Sequence, residues 1–438
     1  MKKKYVRWTL WTIASPFILF VILCILIYLP PIQNFLVDKA AVYASEATGM
    51  NISVGRISLS FPLNLVVTDV DAASPHNDTL LSVRRLQVNV QLLPLLKKQV
   101  EVDGISLQGA TVNSNDLIHG MKLNGTLGEL FISSHGVALD PETAIVNKVL
   151  LKDTDLSLCL NDTAAVDTAA SDTTYWKIIL QDIDLQNVSF ALDMPLDSLS
   201  LAASLDNAIL RDGLIDLHKS AYSLQTFRIK NGRVRYDSGK PLAADSLPSG
   251  LDPSHIALTD IGVKLDSLYY EGRNMKAIIS QFVLKERSGV EIVSATGRMV
   301  SNDKVLRVPS LKLETRDSYL ELNAAMDWNA LDFKDEGLVS ARLMADIGKP
   351  DVVRFMGSMD EKFIRQYPSE PLRIRTGIDG DLNKLKLTTL TAELPGALGL
   401  FARGELTHLT DSLLRGGDIT LEAETKDLKF VSTLAEGI

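Results

Sequence analysis

The chain has 438 residues, enough for two or three domains or for one elongated one. At 46% hydrophobic and 23% charged it has apolar material for a core and is not disordered by composition. Acidic residues outnumber basic ones 54 to 45, a formal net charge of −9, which argues against the basic field of a general nucleic-acid binder. Two cysteines, Cys24 and Cys159, are too few for a disulfide scaffold or a four-thiolate zinc site. The six histidines are scattered, no two within five residues, so no local metal-ligand spacing exists.

Residues 9–29 are 21 positions without a charge, 13 of them Leu, Ile, Phe or Val. As a helix they would span ~31 Å, the thickness of a hydrocarbon core. Their insertion gains about 4–8 kcal/mol before the Ser, Thr and Pro penalties. Lys2, Lys3, Lys4 and Arg7 precede the run, and only Lys39 is basic in the twenty residues after it. The positive-inside rule therefore predicts a cytoplasmic N-terminus, a single-pass anchor and a translocated remainder. A cleaved signal peptide is the alternative, but Pro30-Pro31-Ile32-Gln33 offers no small-x-small cleavage site close by.

Residues 32–49 read as an amphipathic helix, with Phe35, Leu36, Ala40 and Tyr43 near helical spacing and Gly49 as its stop. The periodicity then changes to two. Ile57, Leu59, Phe61, Leu63, Leu65 and Val67 alternate with polar residues, slipping at Val66, and Leu86, Val88 and Val90 follow suit. One apolar and one polar face is the pattern of half-buried antiparallel strands. The style continues through Ile178, Leu180, Ile183 and Leu185, then Ile261, Val263 and Leu265, then Leu311 and Leu313.

A loose unit recurs: a short strand, an Asp, Asn or Gly turn, and a second short strand. It is read at residues 102–112, 178–188 and 227–236, and it predicts a long β array rather than a compact globule. Residues 161–174, NDTAAVDTAASDTT, read as a solvated loop. Residues 351–367 have helical character, with Val352, Phe355, Met356, Met359, Phe363 and Ile364 near 3.6 spacing. Strands resume from residue 368. The expected segments are 1–30 with the anchor, 31–50 helix, 51–160 β region, 161–174 loop, 175–350 β-repeat groove, 351–367 helical insertion and 368–438 further strands.

No nucleophile elbow, phosphate loop, zincin helix or dinucleotide fingerprint occurs, so the chain is read as non-enzymatic and without a cofactor. Asp153 and Asp155 have the spacing of a calcium pair but no calcium-loop context, and are read as strand and turn polars. A sheet with one continuous apolar face cannot leave it in water. It closes into a sandwich, is covered by helices, or curls into a groove around an apolar ligand. A membrane-tethered, helix-poor β array favours the groove, with lipid as the nearest ligand.

Residues 34–113 resemble the N-terminal region of AsmA-like proteins, specifically the TamB type of Bacteroidetes. The resemblance is carried by the anchor ending Leu29-Pro30-Pro31 and by Thr48-Gly49-Met50-Asn51-Ile52-Ser53-Val54-Gly55. Phe61-Pro62-Leu63, Asp69-Val70, Asp78-Thr79-Leu80-Leu81 and Val102-Asp103-Gly104-Ile105 follow in order. It implies a mainly β fold: an N-terminal transmembrane helix, then an elongated β-repeat array curled into an open apolar groove, a β-taco, with few helices. It also implies a single-pass protein of the inner membrane, its bulk periplasmic, carrying phospholipids toward the outer membrane in support of outer-membrane biogenesis. The family's other link is to translocation and assembly of outer-membrane proteins, as a scaffold or chaperone beside an outer-membrane β-barrel partner. No catalytic residues come with it. Lipid contact is expected at interior-facing strand positions, of which Ile57, Leu59, Leu63, Leu65, Leu86, Val88 and Val90 are the candidates. Family members are much longer, and nothing after residue 400 resembles their C-terminal β domain. At roughly 14 residues per strand and turn, about 390 residues give ~28 strands as an upper figure, or ~130 Å of stacked sheet.

Overall fold

The computed structural model describes residues 39, 41–42, 45–46, 49–60, 64–74, 79–91, 102–114, 120–139, 142–161, 175–239, 250–334, 337–356 and 361–436. The expected anchor, the 162–174 part of the expected loop, and Leu63 lie outside them. Among the described residues no helix is long and apolar enough to cross a membrane. Of the expected helix at 32–49, Lys39, Ala41, Val42, Ser45 and Glu46 are helical. Gly49 ends it as the sequence indicates: its φ is +69° and its N–H donates to Ser45 O at 2.9 Å.

The chain divides into two compact units, Met1–Ala164 and Ala165–Ile438. The first holds β1 (Asn51–Ser60), β2 (Asn64–Ala73), β3 (Thr79–Val90), β4 (Val102–Asn113), β5 (Met121–Leu139) and β6 (Glu142–Leu160). Each pairs antiparallel with the next, a plain meander.

The second unit holds β7 (Lys177–Met194), β8 (Leu199–Asp216), β9 (Ala221–Leu224), β10 (Thr226–Ser238), β11 (His255–Glu271), β12 (Asn274–Glu286) and β13 (Glu291–Ser301). It continues with β14 (Val305–Thr315), β15 (Tyr319–Asp327), β16 (Leu338–Ile347), β17 (Leu372–Asp381), β18 (Lys384–Leu394), β19 (Leu398–Thr407) and β20 (Gly416–Thr425). This too is an antiparallel meander, in which short β9 and longer β10 lie end to end between β8 and β11. Among the described residues twenty strands stand where the length arithmetic allowed ~28, because many strands run well beyond ten residues.

The helices that follow in the described residues are few: α1 (Trp328–Leu331), α2 (Lys349–Met356), α3 (Glu361–Gln366) and α4 (Leu428–Glu436). The single helix expected at 351–367 is two short ones. Phe363, Tyr367 and Phe430, on and beside α3 and α4, bury one another against Leu394 and Ala397. α2 is tied down separately. Arg354 lies 3.0 Å from the buried Asp351 and 2.9 Å from Asp317, while Ser318 Oγ donates to Asp351 at 2.6 Å.

The recurring strand–turn–strand units are not hairpins. Residues 102–112, 178–188 and 227–236 lie inside single strands, β4, β7 and β10. Their Asn or Gly residue adopts a left-handed conformation within the strand: Gly109 at φ +62°, Asn187 at +52° and Asn231 at +52°. At Gly109 and Asn187 the pairing continues one to one on both sides without an extra residue, so the left-handed residue kinks the strand and shifts the side-chain alternation by one. Apolar residues three apart, such as Leu185 and Val188, then share a face.

These left-handed residues align. In the first unit the pairing places Gly55 opposite Asp69, then Arg84, Gly109, Gly128 and Asp153 in one line across the six strands. Asp69, Gly109 and Asp153, on every second strand, have φ of +54°, +62° and +50°. In the second unit Asn187, Asp206 and Asn231 form a similar line, and Asn231 Nδ2 donates to Asp206 Oδ2 at 2.8 Å. The first unit is therefore creased along a line across its six strands, and the second along a line across β7, β8 and β10.

Candidate functional site

The register places apolar residues in rows that run across the strands. In the first unit one row is Ile57, Val67, Leu86, Leu107, Leu130 and Leu151, one residue per strand. The next row is Leu59, Leu65, Val88, Ile105, Ile132 and Val149. Thus Ile57, Leu59, Leu65, Leu86 and Val88 are brought together on one face. Val90 follows on the same alternation, opposite residue 102 in register. Leu63 lies outside the described residues.

The second unit carries the same device further. Leu185 pairs with Ala208, Ala208 with Ile229, Ile229 with Val263, and Val263 with Phe282. Phe282 leads to Ala295, Leu313, Leu320 and Ala345, and these to Ile374, Ala392, Leu400 and Ala423. This single row crosses thirteen strands without a polar residue, ~58 Å at the usual strand spacing. Its neighbour runs from Ile183 through Leu210, Phe227 and Leu265 to Leu421, and its only polar member is Thr376.

Large and small residues alternate along the long row, as in Phe282–Ala295, Leu320–Ala345 and Leu400–Ala423. Only the alanines 208, 295 and 345 are buried. Every Leu, Ile, Val and Phe of the row is half-buried, as are nearly all in the first unit's two rows. The buried clusters sit elsewhere: one around Phe363 and Phe430, the other around Ala330, Val339 and Leu382. Among the described residues, the apolar faces carry no second layer comparable to a sandwich core.

The opposite face is polar. Lys312 Nζ lies 3.8 Å from Glu321 across β14 and β15, and Lys384 Nζ lies 3.1 Å from Glu405 across β18 and β19. Such exposed pairs add little stability, but they keep this face in water. Sequence reasoning read Ile183, Leu185, Val263, Leu265, Leu311 and Leu313 as strand alternation in an expected groove, but named no lipid-facing candidate beyond Val90 and missed Leu130 and Leu151. The signal was present as apolar residues spaced by three around an Asp, Asn or Gly, as at Val67 and Val70 around Asp69.

Titratable groups cluster at strand ends rather than on the apolar face. His255 Nδ1 contacts Asp252 Oδ2 at 2.8 Å, and this hydrogen bond holds the Asp252 carboxyl below its ordinary range. Burial would raise Glu286, but contacts from Ser288 and the backbone N–H groups of Ser288, Ala257 and Arg287 hold it below its ordinary value. Burial pushes the Tyr367 hydroxyl up. Among the described residues no group of three or more His, Cys, Asp or Glu could hold a metal ion. Asp153 and Asp155 flank buried Thr154 on β6, with Asp153 at the crease. Cys159 is a free, half-buried thiol on β6. No protein-family model matches the chain, and no curated protein matches it.

Proposed function

We propose that the chain carries lipid on the apolar face of each of its two creased sheets, as a single-pass protein of the inner membrane with its bulk in the periplasm. The observation that carries this reading is the uninterrupted, half-exposed apolar row across thirteen strands of the second unit, with its counterparts in the first. A continuous apolar surface without a covering layer needs an apolar partner, because patches beyond a few hundred Å² are rare on soluble monomers. Phospholipid acyl chains fit the chemistry. They need a long, uncharged, non-directional surface, and a row of strands supplies one with no step at which a chain must be desolvated anew. The polar head stays at the water-facing margin, so no charged residue is required in the rows. Carriage, not catalysis, is the work assigned, and its direction of use is toward the outer membrane.

Native mass spectrometry of the purified chain tests this, with Val88→Asp and Phe282→Asp as blocking variants and Gln87→Asp as the control on the opposite face. The expected result is co-purifying phospholipid in the wild type and in the control. It is lost in both blocking variants while circular dichroism stays β-rich. A folded wild type that never retains phospholipid overturns the proposal.

A further inference from the structure

The apolar face of the second unit continues past its two long rows to the strand ends where β8 turns into β9 and β11 into β12. Leu265 pairs with Ile279, Leu268 with Ala277 and Tyr270 with Met275, and these β12 partners stand two apart, so Leu265, Leu268 and Tyr270 share one face. Tyr270 also pairs with Tyr222 of β9, Tyr222 with Ile215, and Ile215 with Ile178. The row at this margin is therefore Ile178, Ile215, Tyr222, Tyr270 and Met275, apolar but for two phenol hydroxyls. Tyr222 is 40% and Tyr270 42% exposed, and their ring centres lie 6.1 Å apart.

Tyrosine has an apolar body and a polar tip, and it gathers where hydrocarbon meets water. A base stands beside this row: Lys219, in the turn between β8 and β9, has no ion-pair partner among the described residues. The nearest carboxylates in the chain are engaged elsewhere. Asp216 accepts the Lys219 backbone N–H at 3.1 Å, and Glu271 accepts the Tyr269 hydroxyl on the opposite face. At the other ends of the strands the bases are already held. Arg316 Nε lies 2.6 Å from Glu291, Arg354 pairs with Asp317 and Asp351, and Arg287 donates to His255 O at 3.2 Å. From Tyr270 back to Val263 in the long row is ~23 Å of strand, against ~15 Å for one leaflet of hydrocarbon. A chain that starts at the tyrosines therefore ends on apolar surface.

We propose that Tyr222, Tyr270 and Lys219 form a headgroup site for a phosphodiester lipid at this margin. The tyrosine hydroxyls donate to phosphate oxygens, the Lys219 ammonium balances the phosphate charge, and the acyl chains lie along the strands toward the long rows. The inference rests on lipid carriage and adds an orientation to it: headgroups stand at the β8–β9 end of the strands and not at the end that carries α2.

The test loads the full chain with phosphatidylethanolamine carrying a photoactivatable diazirine, either on the headgroup nitrogen or at the end of an acyl chain, and maps the crosslinks by peptide mass spectrometry. The headgroup probe is expected to label the peptides that hold Tyr222 and Tyr270, and the chain-end probe those that hold Val263 and Phe282. Tyr222→Leu with Tyr270→Leu, and separately Lys219→Glu, each cut headgroup labelling about tenfold. Native mass spectrometry still finds bound phospholipid in both, because the long rows are intact. Lys219→Arg keeps the labelling, and so does Lys276→Glu, a charge reversal on the opposite face. Bound phospholipid whose headgroup labels both strand ends equally, or is indifferent to these variants, overturns the site and leaves lipid carriage standing. A chain that binds no phospholipid overturns carriage and the site with it. Excess inorganic phosphate is expected to leave the labelling unchanged; displacement by it assigns the site to free phosphate and overturns the headgroup reading.

Discussion

Asp69, Asp153, Asn187 and Asn231 hold backbone conformations that L-residues seldom adopt, with φ between +50° and +54°. Each costs about 1–2 kcal/mol relative to an ordinary strand residue, and Asn and Asp bear it best because their short polar side chains bond locally. At Asp69, valine is expected to lower the thermal midpoint, by a destabilisation of about 1–2 kcal/mol, while glycine leaves it unchanged or raises it slightly. A thermal melt followed at a β wavelength checks this, and equal behaviour of the two variants would refute the crease as the source of strain. Gly128 shows the other half of the device. A Cβ there would stand 2.8 Å from Asp153 Cβ and 2.9 Å from Asp153 O, so the neighbouring strand can approach only a glycine.

At the scale of elements, the turns and the helices are separately testable. Glu286 is 7% exposed and closes the β12–β13 connection, accepting the Ala257 N–H at 3.2 Å and the Ser288 N–H at 2.5 Å. Its folded pKa is depressed below the ordinary 4.5. The stability it contributes is therefore full above pH 4.5 and is lost as the pH falls through the folded value. Glu286→Gln is expected to cost about 1–2 kcal/mol at neutral pH, since the amide is a poorer acceptor for these donors. The deficit relative to wild type shrinks as the pH drops below about 4.5, and denaturation midpoints at pH 7 and pH 3.5 measure it. Phe430 is 2% exposed at the centre of the aromatic cluster that joins α3 and α4. Phe430→Ala is expected to cost about 3–5 kcal/mol locally. Hydrogen exchange should then accelerate in α3 and α4 while β7–β15 keep their protection.

At the scale of the whole molecule, stability and ligand are linked if the apolar rows hold lipid. A ligand bound only by the folded state at a hundredfold excess over Kd adds about 2.7 kcal/mol. Stripping lipid with cyclodextrin is expected to lower the thermal midpoint and raise the fluorescence of an apolar dye, with the circular dichroism spectrum unchanged. An unchanged midpoint together with an unchanged dye signal would count against an occupied groove.

The mainly β character was legible in the sequence, since alternation such as Ile57, Leu59 and Leu86, Val88 reports burial on one face, and that is a local property of the backbone period. Five of the seven proposed lipid-facing residues meet in two rows for the same reason. The helix stop at Gly49 was legible because left-handed geometry selects glycine. What alternation could not supply was register. Which residue faces which depends on hydrogen bonds between strands far apart in the chain, so the continuity of the row from Leu185 to Ala423 is decided only in the folded sheet. The short Asp, Asn and Gly interruptions looked like turns because those residues serve turns and bulges equally. Only pairing on both flanks, as at Asn187 and Asn231, keeps the strand running through them and lines the left-handed residues into a crease.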